Sequence, residues 1–212
     1  MPFGVSRAIY ILTSADILVI SAYSFIMPLF AVFVTGQIEG ATVATVGFYT
    51  AIYWIVKSIV QVPIAWYLDK KEGEVDEFFA LIAGYLIAAG VAFGYILASN
   101  VWHIYLLEGI LGIADALGVP SYLSIFSRHL DRARENMEWT FRSVGVGLAA
   151  AGAGALAGIL VQNFGFNSVF IIGGALSLIS AFSLLFLRPY LKTTDGRSMI
   201  YQISKPPTKK SV

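Results

Sequence analysis

Six apolar runs, at about 8–34, 46–68, 78–98, 101–126, 140–162 and 168–190, leave this chain few ways to fold. Each is long enough to cross a hydrocarbon core of about 30 Å. In that solvent every backbone N–H and C=O must be satisfied within the protein, so runs of this length are expected as helices. The chain is 58% hydrophobic, above the roughly 45–50% usual for soluble domains. An all-α, polytopic membrane protein is therefore expected, with residues 1–190 as one six-helix domain and 191–212 as a flexible cytoplasmic tail. The first run is too long for a signal-peptide core and lacks a small-residue cleavage site, so it reads as a retained span.

Lys and Arg fall on one side. With the N-terminus inside, the inner segments hold Arg7, Lys70, Lys71, Arg128, Arg132, Arg134, Arg142, Arg188, Lys192, Arg197, Lys205, Lys209 and Lys210, thirteen of the 14 basic residues. The outer connectors hold none, so both termini are expected in the cytoplasm, in the cell's inner or plasma membrane. Trp and Tyr gather at the two boundaries, as interfacial belts do.

The fourteenth base, Lys57, lies inside the second run, on a stripe of Thr50, Tyr53, Lys57 and Gln61 that shares one helical face. A charge at the bilayer centre costs roughly 2.5–3.5 kcal/mol on insertion scales, so Lys57 is expected to pair with a carboxylate. Asp16, Glu108 and Asp115 are the candidates. Glu108 and Asp115 stand seven residues apart, almost two helical turns, and therefore share a face that needs a polar partner or a water-filled cavity opposite. Low dielectric disfavours the charged form of a carboxylate, which is the property a proton-coupling site uses. Such charges also occur as buried pairs that only fix helix register. Asp16 lies close enough to the inner boundary to be simply hydrated, and His103 reads as interfacial.

Positions repeat at an interval of 92 residues. Asp16 and Pro28 match Glu108 and Pro120, and Phe78 matches Phe170. Three spans is an odd number, so these halves would be inverted relative to each other, as in many transporters. The fifth run carries Gly145, Gly147, Gly152, Gly154 and Gly158, with GALAG at 154–158 reading as GxxxG, a pattern of close helix packing. Gly145, Gly147, Gly154 and Gly158 are expected to form a packing or dimer face. GVGLAA at 145–150 is no nucleotide loop, because no strand precedes it. The third and sixth runs have no ionisable residue in their apolar cores and are expected to face lipid. The connectors DKKEGEVDE and SRHLDRARENMEW read as solvated charged loops. Cysteine is absent, and no nucleophile–base pair or His-rich cluster suggests an enzyme, a metal or another cofactor; nothing points to nucleic acid.

Six spans, a tight acidic 2–3 loop, a longer basic 4–5 loop and a glycine-rich fifth span together resemble the amino-terminal half of a major facilitator superfamily transporter. The family's 2–3 loop reads G-x-L-A-D-R-x-G-R-R, and here AWYLDKKEGE from Ala65 to Glu74 keeps Asp69 and the base after it, Lys70. Ala65 replaces the first Gly, and the trailing Arg pair is absent. The resemblance implies helices 1 and 4 lining a central cavity, helices 2 and 5 meeting a second half, helices 3 and 6 facing lipid, and Asp69 locking the two halves together. It also implies a small-molecule solute.

Family members normally have twelve spans. The chain is therefore expected to act as a half-size secondary transporter, a parallel homodimer that moves a small solute by alternating access, coupled to protons. Its cavity would hold Asp16, Tyr53, Lys57, Gln61, Glu108 and Asp115 from each copy, an acidic excess that favours protons or cationic solutes over anions. A heterodimer with a separately encoded six-span half, or a membrane scaffold that transports nothing, would read alike.

Overall fold

The computed structural model describes residues 6–70 and 73–192. Six helices follow in order: α1 (Arg7–Gln37), α2 (Val43–Asp69), α3 (Val75–Gly94), α4 (Val101–His129), α5 (Glu135–Phe164) and α6 (Phe166–Ser183). Short 3-10 segments, Tyr95–Leu97 and Leu184–Tyr190, continue α3 and α6. All six are long and apolar enough to cross a membrane. The chain is an integral membrane protein.

Most helices overrun the expected spans by a few residues, because capping groups set their ends. Ser6 Oγ accepts from Ile9 N at 3.2 Å to start α1, and Asn100 Oδ1 accepts from Trp102 N at 3.1 Å to start α4. At the start of α2, Thr45 Oγ1 accepts from Thr42 N at 2.9 Å. α5 opens on Glu135 and Glu138, where the positive end of the helix dipole favours acidic side chains.

α1 packs between α5 and α6, α4 packs between α2 and α3, and α3 and α6 pack on each other. Exchanging α1 with α4, α2 with α5 and α3 with α6 leaves this set of contacts unchanged. Two glycine notches make the same point atom by atom. A Cβ on Gly84 would stand 2.6 Å from Ala114 O and 3.0 Å from Gly118 N, and one on Gly173 would stand 3.2 Å from Ala22 O and 2.7 Å from Ile26 Cδ1. Ala22 with Ala114, and Ile26 with Gly118, are again 92 residues apart. α3 thus crosses α4 where α6 crosses α1, which supports two related three-helix units.

An aromatic cluster joins the helices at one end. Phe30 lies 4.6 Å from Tyr95 and 5.1 Å from Tyr49, and Phe33 lies 4.8 Å from Phe170, ring centre to ring centre. Edge-to-face and tilted pairs of this kind add to the area they bury.

Burial is uneven among the helices. Only 11% of the most apolar stretch of α2 and of α5 is buried, against 39–50% in the other four. α3 and α6 are therefore among the better covered helices of this half, each with one side left exposed. Each turns one face inward, α3 against α4 and α6 against α1, and Phe79, Phe182 and Phe186 point outward.

The charged connectors are not merely solvated either. Glu77 is buried and takes two bonds from Arg128, Nη1 to Oε2 at 2.6 Å and Nη2 to Oε1 at 3.0 Å, and a third from Ser124 Oγ at 2.9 Å. Glu74, fully buried, lies 2.9 Å from His129 Nε2 and accepts from Lys192 N at 2.7 Å. Lys192 Nζ in turn donates to Arg128 O. Three segments distant in sequence neutralise one another here, which a loop-by-loop charge count misses. Of the presumed tail, Leu191 and Lys192 are docked, and 193–212 lie outside the described residues, as do Lys71 and Glu72.

Candidate functional site

A cavity of about 440 Å³ opens between α1, α2, α3, α4 and α5. Asp16 and Tyr23 of α1, Tyr49, Tyr53 and Trp54 of α2, Tyr85 of α3, Glu108, Asp115 and Tyr122 of α4 and Arg142 of α5 line it.

Asp115 is its most heavily bonded member. Tyr23 Oη donates to Oδ1 at 2.7 Å, Tyr53 Oη donates to Oδ2, and Lys57 Nζ lies 3.2 Å from Oδ2. Lys57 also donates to Tyr53 Oη at 3.1 Å. Of the three carboxylates open to it, Lys57 takes Asp115. Glycine makes the pairing possible: a Cβ on Gly112 would stand 2.7 Å from Tyr53 O and 3.2 Å from Lys57 N, so α2 and α4 touch backbone to backbone one turn from Asp115.

A second pair was not foreseen. Arg142 stands eighth in α5, and its Nη2 lies 2.8 Å from Asp16 Oδ2 while its Nε donates to Tyr122 Oη at 3.0 Å. Counting Arg142 among the inner-segment bases, and Lys57 as the single base within the spans, therefore needs correcting. Asp16 is buried and ion-paired rather than hydrated. Gly145, one turn on from Arg142, faces Ile17 of α1, where a Cβ would stand 2.8 Å from Cδ1, so this side of α5 is the one turned to α1.

Glu108 is different. It is buried, and Tyr95 Oη donates to its Oε1 at 2.9 Å, but among the described residues no basic side chain pairs with it. Three carboxylates and one base, Arg142, thus line the cavity; Lys57, expected in its wall, instead stands beside it and reaches it only through Asp115.

Other expected positions lie apart. Gln61 stays on the α2 stripe, half-buried, and does not line the cavity. Asp69 is exposed at the end of α2 with no ion pair among the described residues, and Lys70 Nζ rests 3.1 Å from the centre of the Trp66 ring. The α5 glycines divide. Gly145 and Gly154 face α1, whereas a Cβ on Gly147 or Gly158 would meet nothing within 4 Å. His103 Nδ1 accepts from Ser99 N at 3.2 Å, away from the cavity.

The profile of the Major Facilitator Superfamily matches residues 10–201 of the chain. The chain belongs to the major facilitator superfamily. This superfamily member is also 25% identical over 109 residues to the 4-hydroxybenzoate transporter PcaK of Pseudomonas putida. That match covers 51% of this chain and 24% of the relative.

Proposed function

We propose that this superfamily member forms one half of an alternating-access transporter for a small aromatic solute. The observation that carries the reading is the convergence of Asp16, Glu108, Asp115 and Arg142, from three helices, on one aromatic-walled cavity, with Lys57 of α2 paired to Asp115 beside it. Charges held within membrane spans mark solute or ion pathways. The named solute of the relative, 4-hydroxybenzoate, is aromatic, and Tyr23, Tyr53, Trp54 and Tyr122 line the cavity here, so it is the ring and not the carboxylate of that solute that is carried over. Movement is coupled to protons exchanged at the buried carboxylates of the two repeats, Asp16 and Glu108. Three-helix units inverted with respect to each other rock about the site, with the basic end of the bundle in the cytoplasm.

The second half covers the exposed faces of α2 and α5. Trp54, Ile55, Ile59 and Val62 on α2, and Val144, Leu148, Leu156 and Ile159 on α5, are exposed apolar side chains flanking the cavity. We assign that role to a second copy in a parallel dimer, a self-complementary arrangement. Native mass measurement of the full chain from lipid nanodiscs tests it. Twice the mass of one chain supports the homodimer; a stable single chain rejects it and points to a different six-helix partner. Proteoliposomes that hold a pH-sensitive dye test the coupling, with solute-dependent proton movement as the expected result and none for Glu108→Gln.

A further inference from the structure

Within the cavity the charges do not cancel, and the residue left over is identifiable. Asp115 is matched by Lys57 and Asp16 by Arg142, at 3.2 and 2.8 Å. Glu108 has only the neutral hydroxyl of Tyr95. Burying a carboxylate away from water without a countercharge is costly, and Asp115, on the same face of α4, adds like-charge repulsion. A positively charged solute removes both costs. An anion would meet the extra negative charge and find both bases already engaged.

The walls suit the same charge. Lys57 Nζ rests 5.0 Å from the centre of the Trp54 ring and 5.4 Å from that of Tyr53, so those two rings already carry the chain's own ammonium group. Tyr49, one turn from Tyr53 on α2, also lines the cavity. We propose that the cavity selects monovalent organic cations, an aromatic or aliphatic body carrying one ammonium group that docks on Glu108 beside Tyr49. This rests on the reading of the cavity as the solute site. One uncompensated carboxylate per chain calls for one positive charge at each copy's Glu108.

Three probes share a ring and a short tether and differ in charge: tyramine is a cation, tyrosol is neutral and 4-hydroxyphenylacetate is an anion. Calorimetric titration of the full chain in lipid nanodiscs at neutral pH is expected to show tyramine binding at least about tenfold tighter than tyrosol, with 4-hydroxyphenylacetate weakest. Glu108→Gln is expected to bring tyramine down to the level of tyrosol and leave tyrosol unchanged. The comparison of probes on the unaltered chain needs no variant, so it stands even if Glu108→Gln folds poorly. Equal binding of tyramine and tyrosol, tighter binding of the acid, or binding of no probe overturns the proposal. Thiol labelling of Thr50→Cys, which lines the cavity, separates that failure from failure of the underlying reading. Labelling from water with the cation preference absent leaves the solute cavity standing; no labelling and no probe bound removes both.

Discussion

Tyr23 donates to Asp115 across 92 residues of chain, the interval that also separates Asp16 from Glu108 and Pro28 from Pro120. The bond therefore joins positions one such interval apart and ties α1 to α4 where both border the cavity. Tyr23→Phe keeps the ring and removes this tie. Asp115 still has Tyr53 and Lys57, so stability is expected to fall by only about 1 kcal/mol. Thermal unfolding of Tyr23→Phe beside Tyr53→Phe measures this.

Removing one partner of a buried ion pair costs more than removing both. Lys57→Met alone leaves Asp115 in the cavity without a base, and a loss of about 3 kcal/mol is expected. Lys57→Met with Asp115→Leu should recover much of that stability. Transport should stay lost in both, and a double variant that transports normally would reduce the pair to a device for helix register.

Gly112 and Gly147 separate close packing from composition. Gly112→Val places atoms against the backbone of α2, and overpacking of about 1–3 kcal/mol is expected, with the Lys57–Asp115 contact opened. Gly147→Ala meets open space and should leave the melting temperature unchanged. If Gly147→Val dissociates the oligomer while the chain stays folded, that face belongs to the partner.

Single cysteines read the same face directly, since the native chain has none. Leu148→Cys, on an exposed residue of α5, is expected to form a disulfide between two copies in native membranes, and Ala157→Cys, fully buried on the same helix, is not. Absence of any cross-link along the exposed face of α5 removes the homodimer.

Arg142→Lys keeps a positive charge near Asp16 but loses the fixed donor to Tyr122, because an ammonium group lacks the planar fork. Partial transport is expected from Arg142→Lys and none from Arg142→Leu, read in the same proteoliposomes. Equal activity in the two would place Arg142 outside the transport cycle.

Much of this architecture was legible before any coordinates. Run length alone implies six helices, and Lys57 stands out because a base in mid-span must find a carboxylate. Arg142 was not legible in the same way. It sits where an apolar run begins, and there a base reads equally well as loop or cavity until the rotation of α5 about its axis is known. Gly112 and Gly84 were hidden for a related reason, since glycine in a helix acquires meaning only from what crosses it. Glu74 and Glu77 looked solvated because the groups that cover them come from α4 and from the segment after α6. Asp69 shows the opposite case: a recognisable motif residue stands exposed, with no ion pair among the described residues.

Lys192 is bonded through its backbone to Glu74 and through its side chain to Arg128, so the strand leaving α6 is stitched to the start of α3 and the end of α4. In mechanical terms this moves the point of attachment. Tension on whatever follows Lys192 is delivered to the start of α3 and the end of α4 and bypasses α6, so a hinge motion of this half would be driven at the seam where α3 meets α4.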